Sequence, residues 1–457
     1  MRLTDTLTGR LRDLEPREPG KVSIYACGPT VYDVPHLGHA RTALTYDVLV
    51  RYLRWRGHEV TLVSNITDID DNIINRAAET GTTEPELAAR FADVYIDQLR
   101  IFGIADPDHR PRATQYVEQM IAVIGELVDD GKAYVVEGRG VYFDVSAFDG
   151  YGALCHRVAD DLREQARARV AVDDLKEDPL DFALWKAAKP GEPTWDSPWG
   201  PGRPGWHIEC VAMSLDILGD DFDIHGGGSD LAFPHHENER AEAEAAGHRF
   251  ARHWVHSAML NVDGEKMSKS LGNFRNLGDA LDAYGPRPLR LAMLQAHYLT
   301  VMELSDAAMA GATGGIDRLD AFARRMAAAG VEPADHSDAA AVDAFVAAMD
   351  TDLGTPDALA VIFDQVSAGN AALDAGDHDA AAVASATVAE LCGVLGIVGA
   401  AEREAGEDDA EIDELLAQRQ QARADRDFAT ADAIRDTLAE RGIEIEDTPT
   451  GPIWRRR

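Results

Sequence analysis

Lysine is nearly missing from this sequence: of 44 basic residues only seven are lysine, which leaves 37 arginines (44 − 7). Cysteine is scarce too. Cys27, Cys155, Cys210 and Cys392 stand far apart, which excludes a disulfide framework and fits a reducing compartment. No run of about 18 apolar residues occurs, so a membrane-spanning helix is not expected. The opening Met1-Arg2-Leu3-Thr4-Asp5 has no apolar leader core, so the expected location is the cytoplasm. Positive charge is in deficit: 80 acidic residues against 44 basic give a net charge of −36, which excludes a generally basic nucleic-acid surface. The acidity has two readings, an acidic surface that repels partners and, favoured over it, adaptation to high salt, where a Debye length of ~3 Å at 1 M screens self-repulsion.

What is present is ample apolar material, 45% of 457 residues, enough for two to four packed units. Lys21–Ala26 reads as a short strand, followed by a turn-rich stretch from Cys27 to Asp33. A helix is expected from about His36 to Arg56 and a second strand over Val60–Ser64. Strand, loop, helix and strand within ~45 residues predict a parallel sheet with its ligand at the strand C-termini. Residues 114–130 read as an amphipathic helix and 133–144 as a hairpin. Lys186–Gly205, rich in Pro, Gly and Trp, reads as an irregular loop, and Phe222–His225 and Trp254–Leu260 read as further strands. From about residue 305 the chain is Ala-rich and lysine-free, which predicts a helical bundle to about 400. One or two helices follow over 411–441, then two short strands flanking Thr448–Gly451.

Two short motifs point to phosphate chemistry. His36-Leu37-Gly38-His39 sits at the expected start of the first crossover helix. Its histidines share a helix face at the positive end of the dipole, and Gly38 lets a ligand approach the backbone. Lys266-Met267-Ser268-Lys269-Ser270 follows a hairpin turn and sets two ammonium groups beside hydroxyls. In a chain that otherwise uses arginine, lysine here suggests that a compact, mobile point charge is needed. Alone, each motif is ordinarily a solvated surface feature. Together they resemble the paired signature of the class I aminoacyl-tRNA synthetases, with Leu37 replacing an isoleucine.

A third constellation has metal-ligand chemistry. Cys27, Cys210, His235 and Glu239 offer two thiolates, an imidazole and a carboxylate, with His235 and Glu239 at i and i+4 behind Pro234, which suits a first helical turn. His236 and Glu237 compete for the same role. Scattered cysteines are more often small buried hydrophobes. The stretches 27–33, 65–71, 205–210, 223–230 and 233–239, with Trp454-Arg455-Arg456, are similar to those of the cysteinyl-tRNA synthetases essentially end to end.

The resemblance implies a class I Rossmann-like α/β catalytic domain over 1–305. Within it, a subdomain inserted at about 110–200 binds the acceptor end, and about 240–305 carries the lysine motif. A helical bundle over 306–403 and a small α+β anticodon-binding module over 404–457 complete the chain. It implies a monomeric, ATP-dependent ligase that makes cysteinyl-adenylate and esterifies tRNA(Cys), with no membrane partner. His36, His39, Lys266 and Lys269 are the expected catalytic residues. Gly38, Gly226, Gly227, Gly228, Asp230 and Lys269 are expected at ATP, and Gly28, Thr67 and Trp206 at cysteine. Cys27, Cys210, His235 and Glu239 are expected to hold one Zn²⁺, and Mg²⁺ to accompany ATP. Shape separates cysteine from its analogues by only ~1–3 kcal/mol, whereas a soft metal distinguishes sulfur from oxygen, so no editing domain is expected. Two alternatives remain: an amide-forming cysteine ligase of the mycothiol pathway, and a non-catalytic RNA-binding paralogue. For the anticodon module, Arg419, Arg423, Arg426, Arg435 and the tail Trp454-Arg455-Arg456-Arg457 provide stacking and positive charge.

Overall fold

The computed structural model describes residues 1–158, 161–163, 176–262, 265–266, 276–397, 409–424, 427–440, 443–448 and 451–456. A hairpin of β1 (Arg2–Asp5) and β2 (Arg10–Asp13) leads into β3 (Lys21–Ala26). Helix α1 (Leu37–Trp55) crosses from there to β4 (Glu59–Val63), and α2 (Asp71–Thr80) and α3 (Glu84–Ile101) follow. An inserted layer comprises α4 (Val117–Asp129), β5 (Ala133–Val136), β6 (Gly140–Phe143), β7 (Phe182–Ala187) and β8 (Gly202–Pro204). The chain then returns through α5 (Trp206–Leu218), β9 (Phe222–Gly228), α6 (Glu237–Ala245) and β10 (Ala251–Ser257).

The main sheet has the order β10-β9-β3-β4 and is parallel throughout. Ile24 pairs with Leu62 on one side and Ile224 on the other. The crossovers therefore diverge on either side of β3. That switch point opens a crevice at the strand C-termini, where Cys27, Ser64 and the ends of β9 and β10 lie. β3 is apolar and buried over most of its length, as a strand covered on both faces must be.

Beyond the sheet lie β11 (Leu260–Val262), β12 (Glu265–Lys266), α7 (Leu277–Tyr284), α8 (Pro286–Leu294) and β13 (Met302–Glu303). The four-helix region of α9 (Asp306–Ala328), α10 (Ala339–Asp350), α11 (Thr355–Asp374) and α12 (His378–Val394) follows. Ser305 caps α9 by accepting from Ala308 N at 3.2 Å. Arg290, 2% exposed, ties α8 to this region and to α1: it pairs with Asp47 and donates to Leu395 O (2.8 Å) and Gly103 O (3.1 Å). Removing either partner of such a buried pair costs ~3–5 kcal/mol. The last unit is α13 (Asp409–Ala424), α14 (Phe428–Glu440) and the hairpin β14 (Ile443–Thr448)/β15 (Gly451–Arg456). No helix among the described residues is long and apolar enough to cross a membrane.

Four expectations change. Trp254–Leu260 is not one strand: β10 ends at Ser257 and β11 starts at Leu260. The ends of the Lys186–Gly205 stretch are not loop: Lys186 and Ala187 belong to β7, which pairs with β8 and with β6. β9 does not stop at His225 but runs through all three glycines to Gly228. Pro234 lies in a cis peptide within a five-residue wide turn, Ala232–His236, so the regular helix begins only at Glu237.

Candidate active site and metal centre

A cavity of about 470 Å³ occupies the crevice, and its walls include Cys27, Gly28, His36, Gly38, His39, Trp206, Gly228 and Asp230. One end reaches Cys27 and Trp206, at the edge of a buried cluster of thiol, imidazole and carboxylate side chains; the other is formed by the start of α1.

At the buried end, Cys27 follows β3 directly, its N–H donating to Gly226 O at 2.8 Å. Cys210 comes from α5, and His235 and Glu239 from the wide turn and α6. The sulfurs of Cys27 and Cys210 are 3.6 Å apart, Cys210 Sγ lies 3.7 Å from His235 Nε2, and Glu239 Oε1 is 3.0 Å from His235 Nε2 and 3.6 Å from Cys27 Sγ. All four donor atoms lie within 4.8 Å of one another and all four residues are buried. Two thiols, a carboxylate and an imidazole packed this closely out of water are costly without a cation at their centre. The set of two sulfurs, one nitrogen and one oxygen fits a divalent metal of zinc's softness. Burial and the neighbouring Cys210 push the Cys27 thiol up. Burial also works against ionising Glu239, but His235, His225 and His236 overcome it and hold its carboxyl well below the usual range.

Of the competing ligands, Glu237 turns away and accepts from Cys155 N (3.0 Å) and Arg240 (3.3 Å). His236 falls in a second possible grouping with Cys27, His225 and Glu239. Some of the residues that surround the four donors, His207 and His256 among them, carried no signal in the sequence. His207 Nδ1 lies 2.8 Å from His235 Nδ1, so His235 presents Nε2 to the sulfurs. His225 Nε2 is 2.9 Å from Glu239 Oε2, and a line of imidazoles continues from His236 to His256 (2.8 Å) and on to Thr6 Oγ1 (2.7 Å). Burial holds His207 and His236 well below the usual range and His256 at about 3, so these rings are neutral. A run of histidines in the sequence does not reveal which of them meet across 20 or 28 residues.

Trp206, the first residue of α5, lines the cavity and stacks on His235 with ring centres 4.0 Å apart. Thr67, expected at the substrate, is not on the cavity wall: it is 1% exposed, and its hydroxyl donates to Glu209 at 2.9 Å. Gly28 is demanded by the protein's own backbone: a Cβ there would lie 1.7 Å from Asn65 O. The same holds at Gly226, where a Cβ would meet Val255 O and the Tyr46 hydroxyl at 1.9 and 2.1 Å, whereas at Gly227 it would meet only the movable tip of the Leu231 side chain at 2.8 Å. Of the three glycines, only Gly228 is on the cavity wall, beside Asp230.

At the other end, His36 caps α1. Its Nδ1 accepts from His39 N and His39 Nδ1 accepts from His36 N, both at 3.2 Å, with the rings stacked at 3.7 Å. Nδ1 is thus the acceptor on both rings, which places the neutral-ring proton on Nε2. Asn276 bridges to His36, and Leu277 N donates to Pro35 O at 2.8 Å. Before the lysine motif, β12 ends at Lys266 paired to β11, while after it Asn276 and Leu277 are anchored at the start of α1. Lys266 is described through its backbone, and Lys269 lies outside the described residues.

In the C-terminal unit, Arg419 is 7% exposed and packs inside rather than on the surface, while Arg423 and Arg435 are exposed. Trp454, Arg455 and Arg456 are placed on β15 by their backbone; Arg426 and Arg457 lie outside the described residues.

Residues 13–314 match the family model described as the class I (C) tRNA synthetase catalytic domain. Residues 344–399 match the DALR domain, and residues 406–455 match the cysteinyl-tRNA ligase anticodon binding domain. The chain is 49% identical to the cysteine–tRNA ligase of Halorhodospira halophila over 467 residues, spanning 100% of this chain and 99% of that one. It is 48% identical to that of Clavibacter sepedonicus over 480 residues, spanning 99% of each. Among solved structures, the methionyl-tRNA synthetase of Mycobacterium tuberculosis with methionyl-adenylate shares the fold. It has a TM-score of 0.60 and 17% identity, over 82% of this chain and 90% of that one. The chain therefore belongs to the class I tRNA synthetases and, within them, to the cysteine–tRNA ligase family.

Proposed function

We propose that this chain activates L-cysteine with ATP and transfers it to the 3′ end of tRNA(Cys). The observation that carries the reading is one cavity whose wall runs from Cys27, a member of the buried S,S,N,O cluster, and Trp206, stacked on His235, to a helix start capped by two histidines. Cys27, Cys210, His235 and Glu239 would hold one Zn²⁺, which would supply a soft Lewis acid selective for a thiolate over a hydroxyl. Gly28 and Trp206 shape the space for the cysteine carbons, with Thr67 bracing Glu209 beneath.

The cysteine carboxylate, held next to the α-phosphate, attacks phosphorus; a C–O–P bond forms and pyrophosphate leaves. No protein nucleophile is needed, so the chain contributes positioning and charge stabilisation. His36 and His39 donate from Nε2 to the phosphate oxygens, next to the backbone at Gly38. Lys266 and Lys269 neutralise the leaving pyrophosphate, with Mg²⁺ accompanying ATP. Gly228 and Asp230 face the nucleoside, while Gly226 and Gly227 set the strand that carries them. In the second step the terminal ribose hydroxyl attacks the adenylate carbonyl and AMP leaves.

The division into residues 1–305, 306–403 and 404–457, with an insertion over about 110–200, assigns activation, span and anticodon contact in turn. A cytoplasmic monomer is part of the same reading. The match of residues 406–455 to an anticodon-binding module supports tRNA over an amino sugar as acceptor. Cysteine-dependent ATP–pyrophosphate exchange tests the proposal. Exchange with cysteine and none with serine is expected; absence of exchange across a full range of salt would refute it in favour of a binding paralogue.

A further inference from the structure

We propose that Asp71 is a positioning residue which, by clasping Lys186 and Arg203, sets Trp206 against the cysteine end of the cavity; this rests on reading that end as the cysteine site. Lys186 on β7 and Arg203 on β8 are direct cross-strand partners. Like charges placed opposite one another destabilise a sheet, and Arg203 is only 2% exposed, so water cannot screen it. Two acids resolve the conflict. Glu192 accepts from Arg203 Nε at 3.0 Å. Asp71 accepts from both cations, from Lys186 Nζ at 2.5 Å and from the Arg203 guanidinium.

Asp71 does not belong to the inserted sheet. It is the first residue of α2, directly after Asp70, which caps that helix and lines the cavity. The strap leading to it is fixed to the site: Asn65 Oδ1 accepts from Gly28 N at 2.8 Å, and Thr67 donates to Glu209. On the other side, Arg203 stands three residues before Trp206. Gly205 between them is pressed onto β7, its N–H bonded to Leu184 O at 2.8 Å and a Cβ excluded by Ala183 O at 1.9 Å. The short link has no slack, so a shift of the β7–β8 pair moves Trp206 and its stack on His235. Asp71 closes a ring that runs from the strap through the inserted sheet to Trp206 and back across the cavity. Without its charge, two cations repel at the root of that tryptophan.

The test uses the full-length, metal-loaded protein and its Asp71→Asn variant. Expected are a rise of about tenfold or more in KM for cysteine in pyrophosphate exchange, and KM for ATP within about twofold. Deuterium uptake in a peptide covering 203–209 should also be faster. Adding Lys186→Met removes the repulsion and should recover at least half of the lost kcat/KM for cysteine. Equal changes in both KM values, or a double variant no better than the single one, would overturn the clasp. Wild-type protein that shows no exchange with cysteine would refute the functional reading instead, and unchanged deuterium uptake at 203–209 would then refute the clasp independently.

Discussion

The two ends of the cavity are built by different means. The end at the start of α1 is local: His36 and His39 are three residues apart, cap their own helix and need only the start of α1 to be in place. The thiol end is assembled from β3, α5, a wide turn and α6, with donors more than 200 residues apart, and is buried. A local anion site depends on helix geometry, and so tolerates change elsewhere. An assembled site depends on packing and on a second layer of partners, here His207 behind His235 and His225 against Glu239.

The contrast can be broken most severely at Cys210. Cys210→Ser should abolish metal retention, read by atomic emission, and lower cysteine-dependent exchange by ~3–4 decades, the discrimination a metal–sulfur contact is asked to supply. ATP binding should stay within about threefold; a parallel loss of ATP affinity would show that the two ends are not separable. The converse variant, His39→Ala, should cost ~10²–10³ in kcat for exchange while metal content stays at the wild-type level. Next in size is His207→Ala. It leaves all four donors in place but frees His235 to rotate, and metal affinity measured by competition with a chelator should fall ~10–100-fold. Unchanged affinity would mean that the imidazole behind the site is only packing.

The smallest effect concerns the brace between the two layers. Lys186 and Arg203 overcome partial burial and hold the Asp71 carboxyl at about 2, below its ordinary value near 4. A depressed folded-state value adds stability that is present above the unfolded value and is lost as pH falls through the folded one. Asp71→Asn should therefore cost ~1 kcal/mol at pH 7, discounted for a half-exposed side chain, and the difference should vanish between about pH 4 and pH 2. Denaturant titrations of both proteins across that window provide the check.

The same contrast explains what was legible in the sequence. The local motif, the βαβ unit and the late helices could be read because propensity and period act over neighbouring residues. The four donors could be named only through resemblance, since nothing in the spacing from Cys27 to Cys210 states that they meet. The sequence predicts too short a β9 because three glycines weaken a strand by propensity. In place, Tyr46 and Val255 leave no room for a side chain at Gly226, so packing overrides the local preference. Lys186 and Arg203 read as parts of a loop because the strand that makes them partners depends on β6, more than 40 residues earlier. Arg419 read as surface charge, but its turn of α13 faces inward.

The central claim is that substrate sulfur reaches the Cys27–Cys210–His235–Glu239 cluster. Replacing the metal with Co²⁺ and titrating L-cysteine, with L-serine as control, tests it most directly through the sulfur-to-cobalt charge-transfer absorption. A saturable increase with cysteine and none with serine is the predicted result. A spectrum indifferent to cysteine, in protein that still catalyses exchange, would show a purely structural metal and contradict the account.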